Sequence, residues 1–523
     1  MKMFTPDQLN NLSKEQLISM VLSVQQENIL MSEKLAVAQA ARFGRSSEKL
    51  NLEGQVSFFN EIEAAADDSV PEPTVEEVAP KRKPRSKGKR KEDIKDLPKE
   101  IVTHELSDEE LKRVFGEKGW KRLPDQVYCK VEAIPATYKV VEHHIAVYGG
   151  KDGTTVVKAA HPAELLNNSL ASASLVAAVM NGKYTNAMPL NRIREEFERG
   201  GVMLSNATMA NWVNRSAERY LSLVYDEMHR EFLSRDVIQG DETTVNVAKD
   251  GRKAGAKSYM WVYRTGEYDK RHPIILYDYQ KTRAFEHPKA FLQGFSGTLV
   301  CDGYSVYHKL DRELKTIQAA NCWAHCRRHF ANALKAFKGP EESKSNTLAY
   351  KALKLIGAIY DADKKAAEMT PEERKDYRQQ KVKPLVEAYF AWVREQMGVV
   401  PAESETGKGL TYSLNQEKYL KRFLDNGNIP LDNSACERAI RPFTVGRSNW
   451  QVIDTIHGAK ASAIIYSIVE TAKANNLRPY DYLKHLLEEI PKHMDEKTTD
   501  FIKAMLPWSS SIPITCRKPN KKQ

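Results

Sequence analysis

The feature that most narrows the fold is a run of strand-like segments between residues 236 and 304. DVIQGDETTVNV, KSYMWVYRT, HPIILYDYQ and GTLVCDGY are rich in β-branched and aromatic residues, which suit a pleated, half-buried surface. The first three follow closely, as neighbours in a meander do. KTRAFEHPKAFLQGF reads as a helix before the fourth strand, and QAANCWAH as a fifth short strand that runs into a helix through Phe337. Residues 341–425 and 433–490 read as helical, with a Pro/Ser-rich tail after them. At 523 residues the chain is too long for one ordinary core, so a multidomain α/β protein is expected.

What precedes the strands has a different character. Leu17, Val21, Val24, Asn28, Met31, Leu35 and Ala38 recur at alternating spacings of 4 and 3, a heptad seam with one polar member. A buried Asn in such a seam fixes register and favours two strands, so a dimerising coiled-coil helix is expected. Residues 61–78 carry seven acidic side chains and no basic one; residues 81–91 (KRKPRSKGKRK) then carry eight basic ones. Pro71, Pro73, Pro80 and Pro84 break any helix there, so this is read as a disordered linker. Its basic half, with Lys81, Arg82, Lys83, Arg85, Lys87, Lys89 and Arg90, suits phosphates or a minor groove. Residues 100–160 alternate in a strand-like way, as at Gln126–Val131 and Tyr138–Val141. Residues 162–232 read as helical. Within them, MPLNRIREEFERGGVMLSNATMANWV has the form helix, Gly-Gly turn, helix. Ser205 is the expected N-cap of the second helix, with Met209 and Trp212 facing inward and Asn206, Thr208 and Asn211 near an exposed face, as in a helix-turn-helix.

Charge and cysteine usage exclude some classes. The net charge of +10 favours a polyanionic partner. No stretch approaches the roughly 20 apolar residues that span a bilayer, and the N-terminus has no apolar signal core. Six scattered cysteines fit a reduced, cytoplasmic setting better than a disulfide framework.

Three acids stand out. Asp241 lies inside the first strand among Val237, Gln239, Thr243, Val245 and Val247, where a carboxylate is costly unless paired or bound to metal. Asp302 ends the fourth strand, just before Gly303. Glu437 shares a helix face with Asn433 and Arg441. Asp302 follows Asp241 by 61 residues and Glu437 follows Asp302 by 135, a gap that 341–425 fills as an insertion. Two strands and a helix can bring these acids to one point, and oxygen ligands there suit Mg²⁺ or Mn²⁺. The local pattern leaves Asp236, Asp269, Asp278 and Asp432 as competitors.

A wider match decides among them. ARFGRSSEKL (41–50), GDETTV (240–245), CDGY (301–304), CWAHCRRHF (322–330), NSACERAIRPFTVGRSNW (433–450), YSIVETAKANNLRPYDYL (466–483) and LPW (506–508) occur in an order and at distances that resemble the insertion sequence 66 family of bacterial transposases over nearly the whole chain. The resemblance implies a ribonuclease-H-like mixed-sheet core of the Asp-Asp-Glu type with Asp241, Asp302 and Glu437 as catalytic and metal-binding residues, and two Mg²⁺ or Mn²⁺ ions. It also implies strand cleavage by water and attack of the freed 3′-hydroxyl on target DNA. The implied partners are double-stranded DNA (element ends and target), further copies of the chain in a dimer or larger assembly, and small accessory proteins of the same element. No membrane is involved, and the expected location is the cytoplasm, at the nucleoid.

The expected organisation is then a coiled-coil helix at 1–50, the linker at 51–98, a small β-containing domain at 99–160, a helical DNA-binding domain at 161–232, a catalytic core at 233–340 and 430–460, a helical insertion at 341–429, and C-terminal helices and tail at 461–523. Many family members carry a zinc segment after the linker, but 95–160 contain only Cys129, so no zinc is expected there. Cys322, His325, Cys326 and His329 share one helix face and cannot easily surround an ion. His325, Arg327 and Arg328 are read as lying near the active site or a phosphate, and Arg438, Arg441 and Arg447 as phosphate contacts. Two rival readings are a nuclease that cuts without joining and a DNA-binding regulator with an inactive core.

Overall fold

The computed structural model describes residues 13–21, 24, 109, 113, 137–149, 156–160, 163–253, 255–269, 271–336 and 345–519. The basic segment from Lys81 to Arg90, Cys129 and the heptad positions from Asn28 to Ala38 lie outside these residues. Residues 14–21 are helical, with Leu17 half-buried and Val21 and Val24 exposed. The described residues from Tyr138 to Lys518 belong to one compact unit.

Two short strands, β1 (Val147–Gly149) and β2 (Val156–Lys158), pair antiparallel. Tyr138–Val141 alternate in sequence but are irregular here, and the Tyr138 ring packs 5.3 Å from that of Phe197. Four helices follow: α1 (Ala173–Met180), α2 (Leu190–Arg199), α3 (Asn206–Ser216) and α4 (Ser222–Leu233). The turn after α2 uses Gly201 at φ +83°, a backbone state that a Cβ disfavours. Ser205 caps α3 by accepting the Thr208 N–H at 3.0 Å, and Met209 and Trp212 are buried.

The sheet comes next. β3 (Val237–Lys249) pairs antiparallel with β4 (Lys257–Thr265), and β4 with β5 (Ile275–Gln280). A short helix, α5 (Glu286–Phe291), leads to β6 (Gly297–Cys301), which runs parallel to β3 on its other edge. Helix α6 (Ser305–Glu313) then leads to β7 (Ile317–Asn321), parallel to β6, giving the order β5-β4-β3-β6-β7. Alternate residues enter two different cores. Ile238, Leu299 and Ala319 face one, while Val237, Val300 and Ala320 face the other. Burial on both faces is why these strands read as apolar runs.

The second core belongs to the helices that interrupt the sheet region: α7 (Trp323–Ala336), α8 (Leu348–Lys364), α9 (Pro371–Tyr377), α10 (Lys383–Gln396) and α11 (Glu405–Lys421). The chain returns to the sheet in α12 (Ser434–Trp450). The sequence of residues 433–490 reads as helical, but the structure interrupts it with a strand. Gln451 adopts φ +57° and ends α12, and the β-branched Val452–Thr455 form β8, parallel to the far end of β3. Helices α13 (Ile456–Ala474), α14 (Pro479–Glu489) and α15 (Ile502–Met505) complete the described fold, with α13 packed on β5. No described helix is long and apolar enough to cross a membrane.

Candidate active site

The site forms where one edge of β3 lacks a strand. β6 covers that edge as far as the pair Gln239–Val300, and β8 resumes at Asn246–Val452. Backbone carbonyls in between need other donors. Asn433, fully buried at the start of α12, donates its side-chain N–H to the Gly240 carbonyl at 2.9 Å. Its Oδ1 accepts from Gln239 at 3.2 Å, and its backbone N–H reaches Cys322 Sγ at 3.1 Å. Arg447, one helix length on, donates to the Thr244 carbonyl and to Thr243 Oγ1. The two ends of α12 therefore seal the gap, and the acids sit within it.

The parallel register explains the meeting of Asp241 and Asp302. Each lies two residues beyond the last pair, Gln239–Val300, so they come level on adjacent strands, about 5 Å apart. One carboxylate oxygen from each lies within 4.8 Å of the other and of an oxygen of Glu242. Asp241 Oδ1 accepts the Glu242 N–H at 2.8 Å, and Asp302 Oδ1 accepts the Tyr304 N–H at 2.9 Å. Burial pushes the Asp241 carboxyl well above the usual carboxylate range, and the charges of Glu242, Asp302 and Glu437 push it further. Crowded oxygen donors in a half-dry pocket are the donor set a hard divalent cation takes. Asp241 and Asp302 fit such an ion by chemistry and by spacing.

Glu437 occupies the first turn of α12, where the helix dipole favours an anion. It is near enough to Asp241 to act on it electrostatically, and two side chains of α7 stand beside it. Arg328 lies 3.5 Å away and His325 Nδ1 3.8 Å away. Ligand atoms of Cys322, His325 and Glu437 also lie within 4.8 Å of one another. Cys326 points elsewhere, its sulfur near Tyr389 and Ser413, and the His329 ring lies against Tyr412. Next to Asp302 is a cavity of about 320 Å³ lined by His325, Arg328, His329, Glu405 and Tyr412. Helix α7 thus sets Arg328 and His325 beside Glu437, and the insertion adds Glu405 and Tyr412 to the cavity wall.

The other candidates are distributed differently. Arg327 acts on Tyr360 within the insertion, on another face of α7. Arg438 is exposed and pairs with Glu267 at 3.1 Å; Arg441 is exposed farther along α12. In α3, Asn211 is exposed, Asn206 bonds to Asn191, and the Thr208 hydroxyl lies 2.8 Å from that of Ser205. Among the competing acids, Asp236 and Asp269 line a separate cavity of about 320 Å³ with Arg374. Asp278 is half-buried on β5, and Asp432 caps the turn before α12.

Sequence reasoning missed Glu242, Arg283 and Tyr307. Glu242 lies beside Asp241, which is its one sequence signal. It accepts from Arg283 Nε at 2.7 Å and from the Tyr307 hydroxyl at 2.6 Å.

Comparison with known proteins bears on the family of the chain. A family model described as "Transposase IS66 family" matches residues 168–461, which include all three acids. "IS66 C-terminal element" matches residues 467–508, and "Transposase C of IS166 homeodomain" matches 30–102. The chain is similar to the uncharacterized protein y4qI of Sinorhizobium fredii (strain NBRC 101917 / NGR234), with 28% identity covering 91% of this chain and 88% of that protein. It is also similar to y4hP of the same organism, at 26% identity over 75% of this chain and 72% of the relative.

Proposed function

We propose a specific reaction for this chain, which belongs to the IS66 family of transposases: it binds the terminal inverted repeats of its element and catalyses metal-dependent strand cleavage and strand transfer. The observation that carries this is the parallel register that sets Asp241 level with Asp302, with Glu437 across the gap at the start of α12. The order β5-β4-β3-β6-β7, antiparallel on one side and parallel on the other, supports reading the sheet as a ribonuclease-H-like core.

Asp241 and Asp302 would hold divalent cations, Mg²⁺ or Mn²⁺, with Glu437 as the third acid. When bound, two such ions stabilise the attacking and leaving oxygens of an in-line displacement. The residues around them supply the rest. The N–H groups of Glu242 and Tyr304 fix the two aspartates before any ion arrives. Arg328 and His325 sit where a scissile phosphate would compete with Glu437 for their charge. The cavity beside Asp302 opens the acid site to an approaching DNA backbone. Arg441, on the exposed face of α12, and the helix pair α2–α3 extend the DNA-facing surface, and the basic segment Lys81–Arg90 adds backbone contacts. Two element ends must be cut together, so the acting form is at least a dimer, with or without accessory proteins, at the bacterial nucleoid.

The test is cleavage and joining on labelled DNA bearing the element's own end, in Mg²⁺ and in EDTA. Joined products that need both metal and Glu437, and vanish in Glu437→Gln, are expected. Binding without cutting by the native chain would sink the proposal in favour of a regulator.

A further inference from the structure

Three carboxylates meet at the site, and the family pattern uses two of them. The third, Glu242, is set apart by its strand position. Neighbouring residues on a strand face opposite ways. Val237, Gln239 and Asp241 therefore belong to the face that meets the insertion, whereas Glu242 points toward the core that contains Tyr307. Its side chain is 2% exposed and both its oxygens are taken. Oε1 receives Nε of Arg283 at 2.7 Å and also its Nη2; Oε2 receives the Tyr307 hydroxyl at 2.6 Å. A cation would have to displace a bidentate guanidinium to reach it.

The partners of Arg283 lead back to the other aspartate. Its guanidinium lies 3.5 Å above the Tyr304 ring, and its backbone carbonyl accepts the Tyr304 hydroxyl at 2.8 Å. Tyr304 in turn gives its backbone N–H to Asp302, as Glu242 gives its own to Asp241. Each aspartate is thus oriented by the N–H of a residue that Arg283 grips.

We infer that Glu242 is a positioning residue and not a metal ligand: it neutralises Arg283, and the Glu242–Arg283–Tyr304 clamp holds Asp241 and Asp302 at the spacing a divalent cation needs. This rests on the metal reading of the preceding section.

The test is Mn²⁺ binding to the DNA-free full-length chain, followed by electron paramagnetic resonance of the free ion, with melting curves to confirm folding. Asp241→Asn should weaken binding by at least about 100-fold, and Glu242→Gln by about 10-fold, because Arg283 then faces the site unneutralised. Adding Arg283→Gln to Glu242→Gln should restore affinity to within about threefold of native, a coupling only a charge-balancing pair gives. A double variant as weak as Asp241→Asn would make Glu242 a ligand and overturn the inference. No change in Glu242→Gln would overturn it too, by leaving the pair a purely structural role. If Glu242→Gln does not fold, the uncharged double variant decides alone: native-like affinity supports the inference and loss overturns it. Native affinity in Asp241→Asn would instead overturn the metal reading, and the inference with it.

Discussion

Two charge clusters, one buried and one half-buried, lie on one chain and have been treated oppositely. In the insertion, Arg378 is fully buried, and its guanidinium is complete. It pairs with Asp363 at 2.7 and 3.1 Å and donates to the carbonyls of Phe423, Asn426 and Ile429. Arg374 beside it donates to four more carbonyls, of Ala366, Gly427, Ala367 and Met369. At the edge of β3, Asp241, Asp302 and Glu242 crowd together and the Arg283 guanidinium pairs with Glu242, while burial and the neighbouring acids hold the Asp241 carboxyl well above the usual carboxylate range. A buried charge with every partner present organises a fold; buried charges short of partners are held there by the rest of the structure and await a ligand.

That contrast can be broken in four ways, and the largest effect is on chemistry. Asp241→Asn should lower metal-dependent strand cleavage by about 10³-fold or more, as loss of several kcal/mol of metal-borne stabilisation implies. DNA binding in a gel-shift assay should stay within about threefold. The same variant should melt higher than the native chain, since it removes a crowded carboxylate. A lower melting temperature would place Asp241 with Arg378, among groups that hold the fold.

Arg378→Met should do the reverse. Leaving Asp363 buried and unpaired costs about 3–5 kcal/mol of stability by denaturant titration, with cleavage at low temperature unaffected. Unchanged stability would remove the insertion's half of the comparison.

Asp278 lies between the extremes. It is half-buried on β5 and accepts a hydrogen bond from Gln280 at 2.9 Å, and desolvation raises its carboxyl to about 6 against the opposing pull of Gln280 and the Lys460 charge. The folded state therefore holds this proton more tightly than the unfolded chain. Stability should fall as pH rises from the unfolded value of 3.8 to about 6, with the penalty complete above that. At about 1.4 kcal/mol per unit, Asp278→Asn should gain roughly 2–3 kcal/mol at pH 7 and flatten the acid limb of the stability profile. No gain at pH 7 would mean that Asp278 has a compensating partner.

How much of this was legible beforehand follows from which interactions are local. The five strands β3–β7 show in sequence because burial on both faces demands apolar, β-branched runs. Asp241 and Asp302 show because an acid in such a run, or at its end, is unusual. β8 was hidden: four residues between two long helices carry no period, and β3 alone gives them a partner. Glu242 was hidden because strand alternation roots it on the opposite face from Asp241, so nothing local says that its carboxylate comes within 4.8 Å of the aspartate. Its meaning comes from Arg283 and Tyr307, 41 and 65 residues away. The roles of Asn433 and Arg447 in closing the edge of β3 depend on a gap between β6 and β8 that no local pattern announces.

The smallest effect tests where the two regions touch. Gly303 follows Asp302, and a Cβ there would fall 2.7 Å from the Tyr412 ring edge and hydroxyl, which α11 of the insertion brings against the acid turn. Gly303 is not held at positive φ, so alanine carries no backbone strain and any effect must come from this contact. Overpacking of this kind costs about 1 kcal/mol where a side chain can yield. Gly303→Ala should therefore shift the melting temperature little but slow cleavage by roughly 5- to 10-fold, because the displaced turn carries Asp302 and its Tyr304 N–H with it. Tyr412→Leu lacks the clashing atoms and should restore the rate in the double variant. Rescue would make the insertion a wall that sets the position of the acid turn; a double variant as slow as Gly303→Ala would mean that glycine is needed for the turn itself, and that the insertion does not act on Asp302 through this contact.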